Sequence, residues 1–158
     1  MLQAGAAAWV IGLGLMAGVA PAQGEELNWR QSSIRTEAQG MSYVRRGVAM
    51  FANGEPAMLT FRGLGKPPEG GRQDFSSRML MRFEDGATFS FDMDGVTQFG
   101  PAGTAPTITG SGRLVEGTGR FAGISGSIEF KGLGVDPKVE SNLGDIVATG
   151  RAIYTLKK

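Results

Sequence analysis

The stretch Phe75-Ser76-Ser77-Arg78-Met79-Leu80-Met81-Arg82-Phe83-Glu84-Asp85-Gly86-Ala87-Thr88-Phe89-Ser90-Phe91-Asp92-Met93 decides the fold. Odd positions Phe75, Met79, Met81 and Phe83 are apolar, whereas Asp74, Ser76, Arg78, Arg82 and Glu84 are polar. After Asp85-Gly86 the odd positions Ala87, Phe89, Phe91 and Met93 are apolar again, against Thr88, Ser90, Asp92 and Asp94. Successive strand side chains face opposite ways, so this pattern is a β-hairpin with one buried face. A helix would scatter the same apolar residues around its circumference. Asp85-Gly86 suits the turn, because both central residues can accept positive φ.

Working outward, Asn53-Gly54 marks a second hairpin, with Val48, Met50 and Ala52 leading in and Leu59, Phe61 and Gly63 leading out. Pro56 follows the turn, where a strand start tolerates a missing N–H. Ile108, Gly110, Gly112 and Leu114 alternate with Thr107, Thr109, Ser111 and Arg113. Ile124, Gly126, Ile128 and Phe130 alternate with Ser125, Ser127, Glu129 and Lys131. The last strand, about 145–156, sets Ile146, Ala148, Tyr154 and Leu156 against Val147 and Ile153, the pattern of a strand covered on both sides. With a weaker segment near Trp29 to Glu37, the reading is all-β: a single antiparallel β-barrel of about eight strands with little helix. Closure leaves no free strand edges, and an eight-stranded lumen is either filled by side chains or holds one small ligand. The loops at 65–72 and 100–106 are rich in Gly and Pro and serve as rim loops or as plain connections.

Composition narrows what such a barrel can do. The 158 residues carry 16 Lys and Arg, 15 Asp and Glu, no Cys and no His. No basic run offers an electrostatic footprint for nucleic acid. Without Cys or His there is no thiol chemistry, no Ser-His-Asp machinery and no usual transition-metal ligand. No phosphate loop and no G-x-S-x-G elbow occurs. A calcium loop begun at Ser90 would place Pro101 at its twelfth position, which needs a carboxylate. No cofactor and no metal site is therefore expected. Catalysis would have to use carboxylates, Tyr43 or Tyr154, Arg, Lys or ordered water. Glu129 and Arg82 lie in the polar phase of their strands and read as solvated. Tyr154 shares the apolar phase and reads as a core or lumen residue.

Residues 4–20 carry no charge and lead to Ala20-Pro21-Ala22, the small-x-small pattern of a signal-peptidase site. The start Met1-Leu2-Gln3 lacks the usual Lys or Arg. The organisation expected is a signal peptide at 1–22, an N-terminal segment with a first strand at 23–40, and the barrel domain at 41–158. The alternative for the leader is an uncleaved anchor at the lower limit of spanning length. Cleavage implies export to a periplasm or the exterior, with no membrane partner afterwards. Met50, Leu59, Phe61, Met79, Met81, Phe89, Phe91, Ile128, Phe130 and Tyr154 form the expected apolar interior. They serve equally as a filled core or as the lining of a cavity for a small hydrophobic ligand.

The run Gly117-Thr118-Gly119-Arg120-Phe121-Ala122-Gly123-Ile124-Ser125-Gly126 resembles the G-T-G-x-F-x-G-x-x-G segment of allene oxide cyclase-like and dirigent-like barrel proteins, particularly their small secreted bacterial members. Phe83-Glu84-Asp85-Gly86-Ala87-Thr88, together with Gly144-Asp145 and Gly150, fits the same pattern. The resemblance implies an eight-stranded barrel, a homo-oligomer (a trimer), and as an alternative activity a cofactor-independent cyclase or isomerase acting by confinement. None of the family's catalytic residues is carried over to a position here. In the motif itself, Gly117 and Gly119 allow a tight turn and Phe121 is expected to anchor it into the barrel end.

Overall fold

Strand pairing accounts for most of the chain that the computed structural model describes, residues 24–135 and 144–157. The strands are β1 (Glu25–Gln39), β2 (Ser42–Phe51), β3 (Pro56–Gly65) and β4 (Arg72–Phe83), followed by β5 (Thr88–Gln98), β6 (Thr107–Thr118), β7 (Ile124–Gly134) and β8 (Ile146–Leu156). Each pairs antiparallel with the next, and β1 pairs with β8, so the sheet closes into an eight-stranded barrel. A single 3₁₀ turn, Gly119–Phe121, is the one helical element among the described residues. The segment around Trp29, weak in the sequence pattern, is thus a full strand that closes the barrel. The leader expected at 1–22 lies outside the described residues.

Two tight turns share one geometry. Phe83 N–H donates to Ala87 O at 2.9 Å and Gly86 N–H to Phe83 O at 3.1 Å, and Phe51 N–H to Glu55 O at 2.9 Å and Gly54 N–H to Phe51 O at 2.9 Å. Positive φ occurs at Gly86 (81°) and Gly54 (84°), whereas no described non-glycine residue adopts it. Each turn is therefore a three-residue loop ending in a left-handed glycine, not a two-residue loop with two positive-φ residues. The side chains of Asp85 and Asn53 accept from the amides of Ala87 (2.9 Å) and Glu55 (3.1 Å), which favours these residues just before the glycine.

These turns, with residues 119–123 between β6 and β7, form one end of the barrel. That end is packed shut by aromatic rings. Phe83 lies 5.0 Å from Phe121 and 5.1 Å from Phe51, while Phe89 lies 5.1 Å from Phe121. Trp29 continues the stack, 5.7 Å from Phe51 and 6.0 Å from Phe91. Burying each such ring contributes roughly 1.5–3 kcal/mol. Trp29 fits because its cross-strand neighbour on β8 is Gly150, where a Cβ would overlap the indole. Phe121 is buried, as the motif reading expects, and Gly119 takes a φ of 59° to turn the chain into it. Arg120 covers the plug from outside: its guanidinium lies 4.6 Å over Phe83 and 5.0 Å over Phe121, and it pairs with Glu55 and Asp85.

The phase of β2 corrects one expected interior residue. Ala49 and Phe51 point inward, and Met50 is 49% exposed on the outer wall beside Val48. Four consecutive apolar residues, Val48 to Phe51, make the alternation silent there. The register is set instead by pairing with β3, which places Ala49 opposite Ala57 and Val48 opposite Met58. On β8, Val147 and Ile153 are exposed, so the outer face of that strand is uncovered in the single chain.

Candidate ligand-binding site at the barrel mouth

The other end of the barrel is built from the ends of β1, β3, β5 and β7 and the starts of β2, β4, β6 and β8. Both glycine- and proline-rich loops, 65–72 and 100–106, lie here. Several inward positions near this end carry polar or no side chains: Gln31 and Ser33 on β1, Tyr43 and Arg45 on β2, Gly63 on β3 and Gln73 on β4. The aromatic filling therefore stops partway up the lumen and leaves a cavity of about 200 Å³.

Phe61, Phe75, Ile108, Phe130 and Ile146 form the cavity walls. Phe99 and Pro106, flanking the 100–106 loop, stand at its rim. Tyr43 stacks on Phe61 at 5.8 Å with an interplanar angle of 17°. Its ring lies across Gly63, where a Cβ would overlap it, so the glycine on β3 seats the tyrosine. The Arg35 guanidinium sits over the Tyr43 ring, 5.7 Å from its centre.

Arg45 reaches inward at 4% exposure. Its Nε donates to Ser33 Oγ at 3.2 Å, and Nη2 donates to Ser33 O at 3.1 Å and to Gly144 O. No hydrogen bond engages Arg45 Nη1 or Tyr43 Oη among the described residues. No side-chain nitrogen or oxygen there is both sealed off and without a partner. Nη1 and Oη are therefore both reached by solvent, on side chains that line the cavity. Burial pulls the guanidinium down to about 10, aided by the like charge of Arg35 and opposed by Tyr43 and Asp145. Burial likewise pushes the Tyr43 phenol up to about 12, against the pull of Arg45 and Arg35. At neutral pH the site thus presents a charged guanidinium and a protonated phenol.

Of the residues expected to line a cavity, Phe61 and Phe130 do so. Leu59, Met79, Met81, Phe89, Phe91 and Ile128 are almost fully buried in the packed core. Tyr154 lies toward the closed end, donating from its hydroxyl to Glu25 at 2.6 Å. Met50 is outside. Arg45 and Arg35 escaped the sequence reading because nothing in an alternating pattern marks a buried arginine. The one available signal was that Tyr43 and Arg45 share a phase with Ala49 and Phe51.

Wider hollows on the outer wall are open troughs. One, of about 1250 Å³, carries the bidentate Arg78–Asp92 pair (2.6 and 2.9 Å), whose charges already satisfy each other. Another, of about 830 Å³, is lined by Val48, Met50, Leu133 and Val147 together with the exposed Arg30 and Lys131. Of these three hollows, the mouth cavity is the one that sets a buried guanidinium against apolar walls. No protein-family model, curated protein or solved structure matches the chain.

Proposed function

We propose that this chain is an exported β-barrel that takes a small hydrophobic ligand into the mouth of its lumen and acts without turnover. The observation that carries this reading is the half-filled lumen: aromatic packing closes one end, and apolar walls enclose about 200 Å³ at the other. That space corresponds to about seven waters of liquid, and so to a ligand of on the order of ten non-hydrogen atoms. Confinement chemistry of the cyclase or isomerase kind is the second reading, favoured by Tyr43 and Arg45 facing the same cavity. Neither group exchanges protons near neutrality, which weighs toward binding.

Export rests on the leader pattern, and the mature chain then begins at Gln23. Terminal sequencing of the exported protein checks this; a retained leader overturns it. Self-association is part of the proposal, as the resemblance implies. Val48, Val147 and Leu133, joined through Ser32 in one row of cross-strand partners, supply an apolar outer surface for a second copy. Sedimentation of the wild type against Val147→Glu tests it, with loss of the oligomer expected. The binding reading is tested by native mass spectrometry of protein purified from its own compartment, together with thermal shifts across lipids, isoprenoids and small aromatics. A retained adduct or a stabilising ligand is expected. Ligand-free spectra and no shift across the panel refute the reading.

A further inference from the structure

Resting on the mouth cavity as a ligand site, we propose that its ligand is a small apolar monoanion, a carboxylate on a short alkyl or aryl body. The carboxylate would meet Arg45 Nη1 and Tyr43 Oη, and the hydrocarbon would lie on Phe61, Phe75, Ile108 and Phe130.

The argument begins with what Arg45 does and does not have. Long charged side chains are almost never fully buried unless paired. Arg45 is buried, yet its hydrogen-bond partners are a hydroxyl and two backbone carbonyls, which hold the guanidinium in place without neutralising it. Nε and Nη2 are used in this way, and Nη1 has no hydrogen-bond partner among the described residues, on a side chain that lines the cavity. A guanidinium fixed through two of its nitrogens and open at the third is oriented before any ligand arrives. Tyr43 adds a second donor, and its ring is itself fixed by stacking on Phe61.

Charge around the cavity selects the sign and number. Arg35 and Arg45 are two positive charges, and Asp145 is the one carboxylate that acts on Arg45 among the described residues. Among the described residues the balance is a single positive charge, matched by a monoanion. A cation would meet two guanidiniums, and a neutral alcohol would leave the buried charge unanswered. Beyond the donors the walls are hydrocarbon, so a fully polar anion such as inorganic phosphate would forgo the apolar contacts.

The test is a matched series of one chain length: octanoate, 1-octanol and octylammonium, each titrated by calorimetry into the full mature chain. Octanoate is expected to bind at least about tenfold more tightly than octanol, the scale of one charge-assisted hydrogen bond in a dry site. Octylammonium is expected to bind weakest. Arg45→Met should bring octanoate down to the level of octanol, with octanol itself little changed. The wild-type series alone decides the matter if that variant does not fold, and Tyr43→Phe gives a second, milder loss of octanoate affinity.

Equal binding of octanoate and octanol overturns the inference while leaving a hydrophobic ligand site intact. Tightest binding of octylammonium overturns it too. Octanoate affinity unchanged in folded Arg45→Met places the anion elsewhere and overturns it. Failure of all three, while an uncharged ligand from the broader panel binds, removes the carboxylate and keeps the cavity; failure of every ligand removes both.

Discussion

Replacing Arg45 with methionine should cost the fold little stability, although Arg45 is among the most buried side chains. Burial pulls its guanidinium from 12.5 to about 10, a bias against the charged form on the order of 3 kcal/mol. Against this stand its hydrogen bonds to Ser33 Oγ, Ser33 O and Gly144 O, each contributing roughly 1.5–3 kcal/mol because the donor is charged. At the lower end of that range the bonds outweigh the burial bias by only about 1–2 kcal/mol. Methionine has nearly the same reach and suits the neighbouring Phe61, Phe130 and Ile146, and apolar replacement of buried charge is often neutral or stabilising. The expected loss is at most about 2 kcal/mol, measured by urea denaturation followed by far-ultraviolet circular dichroism with an unchanged slope. Phe89→Ala, which empties a fully buried site in the closed end, supplies the contrast at a loss of about 3–5 kcal/mol. A loss of about 3 kcal/mol or more for Arg45→Met would refute the reasoning, because Arg45 would then be a tie holding the barrel mouth together. A smaller loss marks it as a residue whose burial serves something other than stability.

Gly150→Ala should lower stability by roughly 1–3 kcal/mol and shift Trp29 emission, since a Cβ there overlaps the indole; unchanged emission and stability would mean the ring sits elsewhere. Both tyrosines hold their protons up to about 12, Tyr43 by burial and Tyr154 by burial and then its hydrogen bond to Glu25. In the unfolded chain they titrate near 10, so this contribution to stability is full below about pH 10 and is lost as pH rises toward 12. An ultraviolet difference titration should show native phenolate appearing later than in urea-unfolded protein, and coincident curves would contradict the burial of Tyr43. Arg120→Ala removes the cation lying over Phe83 and Phe121 and its pairs with Glu55 and Asp85. It should cost about 1–2 kcal/mol by thermal denaturation, and no change would show that the closed end needs no cover.

The closed end was legible in the sequence and the mouth was not, for one physical reason. Around β4 and β5 the inward positions are Phe and Met and the outward ones mostly polar, so alternation reports the face directly. On β1 and β2 toward the mouth the inward positions become Gln31, Ser33, Arg35 and Arg45, and the contrast on which the reading depends disappears. That loss made β1 look weak. On β2 the four apolar residues Val48 to Phe51 left the phase open, which put Met50 inside on paper and outside in the barrel. Arg35 and Arg45 are among the residues that line the cavity. Local rules give way where polar groups are kept inside a barrel that packing alone would fill with hydrocarbon. Phe121 shows the opposite case: a glycine-flanked aromatic between two strands was readable as an anchor because its turn requires glycine at Gly119. The phase of Tyr43 and Arg45 relative to Ala49 was the available clue to the site, and it becomes decisive once the β2–β3 register is known.

Where a ligand sits can be read residue by residue from nuclear magnetic resonance shifts during an octanoate titration of the mature chain. The mouth-cavity account predicts changes concentrated at the Arg45 Nε–H and at the amides of Tyr43, Phe61, Ile108 and Gly144. Val48, Met50, Leu133 and Val147 on the outer wall should stay silent. Shifts centred on that outer wall, or spread evenly over the barrel, would contradict it.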